Sequence, residues 1–415
     1  MSEMKQHILV LGAGMVGTCT ALHLVQRGHT VTLVDRRPPG RETSYGNAGL
    51  IQREAVEPYP FPQAVGHLLR VALRQGADVH YHLSALPGLV KPLWAYWRHS
   101  RPARHAQVSQ AYARLIAHSL SEHQPLIEAA GAGELVRRPG YLHVFRQAST
   151  MAETVAKAQR LADTQGLHYR VLSSDALAEA EPALRRRMAG AVHWMDPWAV
   201  NDPGELVARY AALFQRLGGQ VLQGDASTLA PTATGWRLQS GADAVDAQHA
   251  VVALGPWSGA WLQSLGYHYN LFVKRGYHRH YTGGGVPRLP MLDADAGFVL
   301  APMRQGVRLT TGAEFAPLHA PPTPVQVAKA HALASELMDL PTPVEPEPWL
   351  GARPCTPDML PVIGPAPRHR GLWFNFGHAH QGFTLGPVSG RLMADLIEGV
   401  APVVDPAPYA PSRLG

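Results

Sequence analysis

The stretch His7–Asp35 reads HILVLGAGMVGTCTALHLVQRGHTVTLVD and decides the fold of the chain. It opens with His7–Leu11, a mostly apolar run rich in branched side chains, as in a buried strand. Glycines follow, apolar side chains then recur at helical spacing over Thr18–Arg27, and Gly28 stops the helix. Thr30–Val34 returns to a strand pattern. The order strand, turn, helix and strand predicts an α/β fold.

The turn after the first strand, Gly12-Ala13-Gly14-Met15-Val16-Gly17, fits the pattern G-x-G-x-x-G. Asp35 ends the second strand, 21 residues after Gly14, as expected of a dinucleotide-binding unit. The three glycines permit, in order, a tight turn, close approach of the backbone to a pyrophosphate, and close packing of helix on strand. The pyrophosphate would lie at the helix N-terminus, and Asp35 would accept hydrogen bonds from ribose hydroxyls. We therefore predict a nucleotide site whose contacts are Gly12, Gly14, Met15, Val16, Gly17 and Asp35.

The residues after the second strand bear on which dinucleotide binds. The run Asp35-Arg36-Arg37 could be mistaken for an NADP site in which an arginine meets the 2′-phosphate, but the charge of Asp35 would repel that phosphate. A nicotinamide enzyme would also need a proton-handling His or Lys beside the site of hydride transfer. This block alone leaves nicotinamide and flavin dinucleotides open.

The rest of the chain alternates between helical and strand-like patterns. Helical periodicity predicts helices over Tyr112–Ala130, Ala152–Gln165, Gly204–Leu217 and Pro387–Glu398, and Gly283–Gly285 is predicted as a hairpin turn. The α/β character at both ends suggests a discontinuous, Rossmann-like nucleotide-binding domain with an inserted α+β substrate domain. We assign residues 1–85, 196–265 and 346–415 to the first domain. The second comprises residues 86–195, mostly helical, and 266–345, rich in strands.

Composition excludes several classes of protein. Of 415 residues, 46% are apolar and 16% charged, so the chain is no disordered polyelectrolyte, and its length suggests more than one folding unit. The formal charge is +6, and the basic residues comprise five lysines and 32 arginines. The arginines are scattered along the chain, without the interleaved aromatic residues of a surface that binds single-stranded nucleic acid. We therefore expect no nucleic-acid partner and interpret the excess as compositional drift.

Other features bear on the compartment. The two cysteines suit a reducing environment, and MSEMKQ runs directly into the first strand without the pattern of a leader peptide. Leu83–Trp97 is the best candidate for a membrane-facing segment, but two prolines and Lys91 argue against a transmembrane span. We predict a core helix there and a cytoplasmic protein. The alternative is peripheral contact with the cytoplasmic face of the inner membrane.

Three blocks together resemble the FAD-dependent amine and amino-acid oxidoreductases of the D-amino-acid oxidase superfamily, most closely the bacterial D-amino-acid dehydrogenases. The first block is the glycine fingerprint followed by the loop Thr43–Gly49. The second is Ala250–Trp261. The third, Gly351–Leu396, combines an R-P-x-T-P-D-x-x-P-x-x-G run with a G-H-x-x-x-G-x-T turn before a helix. The resemblance spans the chain, is weakest in the inserted middle, and implies FAD as the cofactor.

The resemblance implies particular cofactor contacts. Residues of the turn before the last helix would meet the flavin pyrimidine edge, where a helix N-terminus stabilises the charge that accumulates on reduction. Those residues are Gly377, His378, Gly382 and Thr384. Thr43, Ser44, Asn47 and Gly49 would meet the ribityl and phosphate region, and Arg36 would lie near the cofactor.

The same resemblance assigns Arg353 to the substrate carboxylate, for which a guanidinium offers a planar, bidentate fork. The alternative for Arg353 is a structural ion pair. Tyr277 resembles the active-site tyrosine of the family; it either hydrogen-bonds the same carboxylate or packs in a sheet. Arg275 and His278 are weaker candidates.

Two further site types are not expected. Some sarcosine-oxidase relatives attach flavin through a cysteine upstream of a similar T-P-D run, but Cys355 directly precedes Thr356, so we predict non-covalent FAD and a packed thiol. The pairs His278/His280 and His378/His380 lack the further ligands that zinc needs, so no metal is predicted.

The predicted activity is oxidative deamination of D-amino acids, by hydride transfer to FAD, to 2-oxo acids and ammonia. Two alternatives stay open: oxidation of a secondary or cyclic amine of the proline, hydroxyproline, sarcosine or glycine type, and a non-catalytic flavin-binding subunit. Oxygen, a quinone or a carrier protein could accept the electrons, and the sequence does not choose among them.

Overall fold

The computed structural model describes residues 5–63, 79–241 and 243–414. The helices in this part of the chain are α1 (Met15–Gln26), α2 (Leu86–His99), α3 (Pro102–Ala117), α4 (Ser119–Ala129), α5 (Ala148–Gln165), α6 (Ser174–Ala180), α7 (Pro203–Arg216), α8 (Ser258–Ser264), α9 (Val325–Leu337) and α10 (Gly382–Glu398).

The strands are β1 (His7–Leu11), β2 (Thr30–Asp35), β3 (Leu50–Ile51), β4 (Val79–Tyr81), β5 (Val136–Arg137), β6 (Tyr141–Phe145), β7 (Tyr169–Ser173), β8 (Gly190–Trp194), β9 (Trp198–Val200), β10 (Gln220–Gln223), β11 (Ala230–Pro231), β12 (Trp236–Ser240), β13 (Asp243–Ala247), β14 (His249–Val252), β15 (Phe272–Thr282), β16 (Met291–Asp293), β17 (Phe298–Met303), β18 (Gly306–Thr310), β19 (Ala313–Phe315), β20 (Thr342–Pro343), β21 (Trp349–Cys355), β22 (Val362–Pro365) and β23 (Leu372–Phe376).

One sheet is built around the stretch His7–Asp35. Its strands lie in the order β10, β2, β1, β14, β23 and β22, and neighbours run parallel except β22, which is antiparallel to β23. The glycine turn therefore leaves the carboxyl end of a central strand, where open α/β sheets bind their ligands. The predicted α/β fold is confirmed.

Strand β1 separates two hydrophobic cores. Ile8 and Val10 belong to one cluster of buried side chains, and Leu9 and Leu11 to another. All four are fully buried, because helices or loops cover a parallel sheet on both faces. Burial of each such side chain contributes about 1.5–3 kcal/mol, so the apolar run fixes this strand at the centre of the sheet.

A second sheet provides the other wall of the site. Its strands lie in the order β4, β19, β15, β18, β17, β16, β6, β8 and β7, and β15 also pairs with β20 and β21. The register between β15 and β21 sets Lys274 opposite Arg353 and Gly276 opposite Gly351. Residues directly opposite each other share one face of a sheet, so the Lys274 and Arg353 side chains lie on the same side.

Two strands of this sheet, Val79–Tyr81 and Trp349–Cys355, lie within segments assigned from sequence to the nucleotide-binding domain. They lie close to the ends of those segments, at residues 85 and 346. The domain boundaries stay a prediction, and these strands show where segments of the chain pass from one sheet to the other.

Several predicted elements need correction. The helix predicted over Tyr112–Ala130 is two helices, interrupted at His118, where the Ser119 hydroxyl donates to the Ile116 carbonyl at 2.7 Å. Gly283–Gly285 does not close a hairpin, because β15 pairs with β18 and not with β16. Helices α5 and α7 confirm the other two central predictions to within a few residues.

The last helix starts earlier than predicted. It begins at Gly382, so Pro387 lies inside it instead of starting it. Proline has no N–H and cannot donate to the carbonyl of Phe383 one turn back. The His123 ring takes that place, with Nε2 3.0 Å from the Phe383 oxygen. The helix therefore tolerates the proline because a side chain from α4 satisfies the freed carbonyl.

The segment Leu83–Trp97 is helical over most of its length but is not a core helix. Val90 and Trp94 are 65% and 58% exposed on α2. None of the helices in the described ranges is long and apolar enough to cross a bilayer.

Candidate active site

The glycine turn has the geometry that its sequence predicts. Gly12 has φ +103°, and a Cβ there would lie 2.4 Å from the Ala253 carbonyl oxygen, so only glycine fits between β1 and β14. A Cβ on Gly17 would lie 1.8 Å from the Gly12 oxygen. The turn is therefore packed as tightly as the approach of a pyrophosphate to the helix N-terminus requires.

Asp35 organises this turn from the end of β2. Its Oδ2 accepts the Ala13 N–H at 2.7 Å, and its Oδ1 accepts the Arg37 N–H at 3.0 Å. A carboxylate has about four acceptor positions, so Asp35 can still receive ribose hydroxyls. Arg36 turns away to Glu42, with Nη2 2.8 Å from Oε1, and its guanidinium lies 4.3 Å from the ring centroid of Trp257.

The loop Thr43–Gly49 is fastened to its surroundings by side-chain hydrogen bonds. The Ser44 hydroxyl accepts the Met15 N–H at 2.9 Å and so caps the first turn of α1. The Thr43 hydroxyl donates to the Ala352 carbonyl at 3.2 Å. These contacts tie the nucleotide end of the site to strand β21.

Arg308 fixes the far half of this loop and was not predicted. It lies on β18, is 3% exposed, and donates to the carbonyls of Tyr45 at 3.0 Å and Asn47 at 2.5 Å. The Asn47 Oδ1 accepts the Gly49 N–H at 2.8 Å. Sequence offers no signal for Arg308, because its partners are backbone atoms more than 260 positions away.

A cavity of about 1040 Å³ runs from the glycine turn to β15 and β21. Of the predicted cofactor contacts, its lining includes Gly12, Gly14, Met15, Val16, Asp35, Arg36, Thr43, Ser44, Asn47, Gly377, His378 and Gly382. Three others, Gly17, Gly49 and Thr384, lie behind the lining. The Thr384 hydroxyl instead accepts the Gln52 N–H at 3.1 Å.

The turn before α10 meets the cavity where β21 ends. The Ala379 N–H donates to the Pro354 carbonyl at 2.8 Å, and Ala379 itself has φ +49°. His378 is buried against Ser389, with Nε2 2.9 Å from the hydroxyl oxygen, and burial lowers its pKa to about 3. A neutral His378 and the N-terminus of a long helix thus face the cavity beside Arg353.

Arg353 crosses β15 over Gly276. A Cβ on Gly276 would lie 2.7 Å from Arg353 Nη2, so the bare backbone makes room for the guanidinium. Arg353 Nη1 donates to the Gly312 carbonyl at 2.8 Å and Nη2 to the Thr311 carbonyl at 3.3 Å. A guanidinium has five N–H donors, so three stay available toward the cavity that Arg353 lines.

Four further side chains lie at the Arg353 end of the cavity, and sequence reasoning missed their roles. Lys274 donates from Nζ to the Tyr96 hydroxyl at 3.2 Å. The ring centroid of His380 lies 4.9 Å from that of Tyr59. All four line the cavity. Burial, and then the charges of Arg353 and Lys274, lower the pKa of His380 to about 3. Only the pairing of β15 with β21, which the sequence pattern does not show, places Lys274 opposite Arg353.

Tyr277 is placed differently from the prediction of a carboxylate contact. It alternates with Lys274 and Gly276 along β15, so its side chain lies on the opposite face. Its hydroxyl donates to Glu314 at 3.0 Å and accepts the Thr323 N–H at 2.8 Å. Although Tyr277 contributes to the cavity lining, the structure does not bring its hydroxyl together with the Arg353 guanidinium.

The other weak candidates are also engaged elsewhere. Arg275 is fully buried and bound to Glu314, with Nε 2.7 Å from Oε2. His278 stacks on Trp349 at 4.8 Å, and burial lowers its pKa to about 2. Arg275 lies on the face of β15 opposite Arg353, and neither Arg275 nor His278 lines the cavity as a carboxylate ligand would.

The histidine pairs differ in their surroundings. Glu345 joins His278 and His280, so three ligand atoms lie within 4.8 Å of one another. His280 already binds Glu345 through Nδ1, and its Nε2 accepts from Arg308 Nε at 2.9 Å, which leaves it no free nitrogen. The absence of a metal stays a prediction.

Cys355 lies at the end of β21 with its thiol buried in the cavity wall. Burial raises the pKa of this thiol, which keeps it protonated and therefore a poor nucleophile toward a flavin.

Comparison with known proteins identifies the family. The family model described as FAD dependent oxidoreductase (DAO) matches residues 7–396. The chain belongs to this family. FAD is therefore its cofactor, and the glycine turn, Asp35 and the helix N-termini at both ends of the cavity supply the groups that a flavin dinucleotide requires.

Relatives within the FAD-dependent oxidoreductases match over almost their full lengths. A D-amino-acid oxidase of Bradyrhizobium diazoefficiens is 31% identical over 434 residues, covering 99% of each chain. A D-amino acid dehydrogenase of Chromohalobacter salexigens is 28% identical over 426 residues, covering 98% of this chain and 99% of its own. The crystal structure of glycine oxidase from Geobacillus kaustophilus superimposes with a TM-score of 0.70 at 21% identity, covering 98% of both chains. This last likeness concerns the fold.

Proposed function

We propose that this oxidoreductase converts D-amino acids into 2-oxo acids and ammonium. The observation that carries the proposal is the Arg353 guanidinium, which lines the same cavity as the flavin-binding turns and has no carboxylate partner among the described residues. Relatives named D-amino-acid oxidase and D-amino acid dehydrogenase support the same substrate class.

The overall reaction balances with one water. The Cα–H bond breaks and its electron pair leaves as hydride, for which FAD is the acceptor, while the amine nitrogen loses a proton and a C=N bond forms. Water then adds to this imino acid, and ammonia departs to leave the 2-oxo acid. When bound, FAD would supply the two-electron chemistry, and an external acceptor would take up the electrons.

The residues of the cavity orient the substrate and control its proton. Arg353 holds the carboxylate bidentately and so fixes which face of Cα meets the flavin. The positive charge of Arg353 lowers the pKa of a substrate ammonium, which favours the neutral amine from which hydride departs. Burial and the charges of Arg353 and Lys274 lower the pKa of His380 to about 3, so His380 stays neutral and is too weak a base to take that proton, which passes to solvent.

The test is product formation by the purified holoenzyme from matched D- and L-amino acids, with glycine, sarcosine and proline as further arms. We expect 2-oxo acid and ammonium in equal amounts from D-amino acids, together with anaerobic bleaching of the flavin. Bleaching only by the secondary amines, or only by L-amino acids, would refute the proposal. Bound FAD that no amine bleaches would point to a non-catalytic subunit.

We further propose that the protein acts in the cytoplasm and passes electrons to a quinone at a membrane surface. Support comes from helix α2, which exposes Val90 and Trp94 beside Lys91. Such an amphipathic face suits peripheral contact with anionic lipid. Sedimentation with anionic vesicles tests this, and Trp94→Gln should reduce the bound fraction. Equal sedimentation of both proteins would contradict it.

A further inference from the structure

The end of the cavity at β15 and β21 holds two cations, not one. Lys274 and Arg353 face each other across the two strands, and both side chains line the cavity. Directly opposed residues have Cβ atoms about 4.5–5.5 Å apart, so one small ligand can reach both charges. A single α-carboxylate needs only one of them.

Lys274 has no counter-ion in the described part of the chain. Its Nζ donates to the Tyr96 hydroxyl at 3.2 Å and lies 4.4 Å from the centroid of the same ring. The Tyr96 hydroxyl hydrogen is committed to the Tyr59 carbonyl at 2.6 Å, so Tyr96 serves Lys274 only as an acceptor. Two of the three ammonium N–H groups are left for a ligand.

The wall around this ammonium is apolar. Tyr96, Phe272, Cys355 and Met359 form one hydrophobic cluster there. A buried charge without a partner is costly, and burial lowers the Lys274 pKa accordingly. Lysine in such a wall is expected where a ligand supplies the missing anion.

Charge is distributed unevenly along the cavity. Its acidic lining residues in the described chain are Asp35, Glu42 and Asp225. These belong to the nucleotide end, where Glu42 binds Arg36 and the pKa of Asp225 is lowered by hydrogen bonds from Ser227 and by the charge of Arg36. The substrate end therefore carries an uncompensated positive charge, which favours a dianionic ligand.

We propose that this enzyme selects D-amino acids that carry a second carboxylate in the side chain. Arg353 binds the α-carboxylate through its planar fork, and Lys274 binds the side-chain carboxylate as a point charge. The inference deepens the proposed function and rests on it. Lys274 is thus assigned as the residue that determines specificity, a role that neither the glycine fingerprint nor the R-P-x-T-P-D run indicates.

The experiment compares acids with their amides, which match them in size but lack the charge. Values of kcat/KM for D-aspartate against D-asparagine, and for D-glutamate against D-glutamine, are measured for the wild type, Lys274→Met and Lys274→Arg. Lys329→Met, on the exposed side of α9, is the matched control. A charge-assisted hydrogen bond predicts an acid-to-amide ratio of about 10 to 100 in the wild type.

We expect that ratio to fall to about one or below in Lys274→Met, to survive in Lys274→Arg, and to be unchanged in Lys329→Met. An equal loss for acid and amide would overturn the proposal, because it would mean that Lys274 shares the α-carboxylate. A shifted flavin potential with an unchanged ratio would overturn it too, because it would mean that Lys274 serves the cofactor.

Failure of the proposed function is distinguishable from failure of this inference. If no D-amino acid bleaches the flavin, the binding of glutarate against glutaramate, followed through the flavin absorbance, reads the same selectivity without turnover. Tighter binding of glutarate that depends on Lys274 would support the dianion site. Equal binding of the two would refute it.

Discussion

The two faces of strand β15 place positively charged side chains in different environments. On one face Arg275 is completely buried, and Glu314 binds it at 2.7 Å together with the carbonyls of Ala320 and Pro321 at 2.5 and 3.0 Å. On the other face Lys274 and Arg353 line a cavity and contact only neutral groups of the described chain. The strand alternation separates these environments by a single position.

The difference teaches how to tell a structural cation from one that awaits a ligand. Glu314 ends with a pKa below its usual value: burial alone would raise it, but hydrogen bonds from Thr323 and Arg275 and the Arg275 charge outweigh that effect. Arg275 and Glu314 therefore compensate each other's charge within the protein. Around Lys274 and Arg353 the described residues provide no acidic partner, so we assign the compensating anion to a ligand.

The largest expected effect is on the open face. Arg353→Leu should lower kcat/KM for D-amino acids about 10³- to 10⁴-fold, since it removes a bidentate, charge-assisted contact that also orients Cα. FAD should stay bound, because Arg353 makes no contact with the nucleotide end. Arg353→Lys should recover part of the loss. Steady-state kinetics with a flavin count per chain measures both, and unchanged kinetics would refute the role.

The closed face should respond in stability instead. Arg275→Met leaves Glu314 buried without its cation, which should cost about 3–5 kcal/mol in the free energy of unfolding. Adding Glu314→Leu should restore most of that loss, because an apolar pair replaces the ion pair. Urea unfolding of both variants checks this. If the double variant is no more stable than Arg275→Met, Arg275 and Glu314 do not compensate each other's charge.

A buried acid without adequate compensation provides a third case. Glu54 is 7% exposed, and burial, opposed only in part by a hydrogen bond from Gln52, raises its pKa from 4.5 to about 7. A raised folded-state pKa means that the native state binds the extra proton, so this contribution to stability is present below pH 4.5 and is lost as pH rises to about 7.

At pH 8, the free energy of unfolding of Glu54→Gln, measured with urea, should therefore exceed that of the wild type by up to about 3 kcal/mol. The difference should shrink toward pH 5. Glu57→Gln is the matched control, because Lys157 and Arg160 hold that carboxylate at 3.0 and 2.8 Å. It should show no gain at pH 8. A stability difference for Glu54→Gln that is constant from pH 5 to pH 8 would contradict the assigned pKa.

The smallest expected effect concerns Gly276, the strand residue against which the Arg353 guanidinium lies. Gly276→Ala would place a Cβ 2.7 Å from Arg353 Nη2 and displace the guanidinium, which should raise KM about 10-fold, a cost of about 1.4 kcal/mol. Gly133→Ala, where a Cβ would meet no atom within 4 Å, is the control. An unchanged KM in Gly276→Ala would show that the guanidinium tolerates displacement.

The sequence predicted what depends on local pattern. The run His7–Asp35 contains strand, turn, helix and acid within one short segment, so its geometry followed from spacing. The placement of Tyr277 did not, because the face of β15 that meets the cavity is set by pairing with β21, some 70 residues further along the chain. Lys274 was overlooked for the same reason.

A helix boundary was predicted wrongly where a side chain from a distant part of the chain replaces a backbone hydrogen bond. Pro387 is a good helix start by sequence, yet His123 satisfies the carbonyl that the proline leaves free and lets the helix begin at Gly382. Arg308 fixes the loop at Tyr45 through carbonyls, which carry no sequence signal. Long-range contacts to backbone atoms are what pattern reasoning cannot supply.

The most direct test removes the carboxylate from the substrate and its partner from the enzyme in turn. Anaerobic flavin reduction by D-alanine and by D-alaninamide is compared in the wild type and in Arg353→Leu. We predict that the wild type reduces at least about 10³-fold faster with the acid at low substrate concentration, and that this preference disappears in Arg353→Leu. A wild type that reduces equally fast with both, or a preference that survives the substitution, would contradict the account.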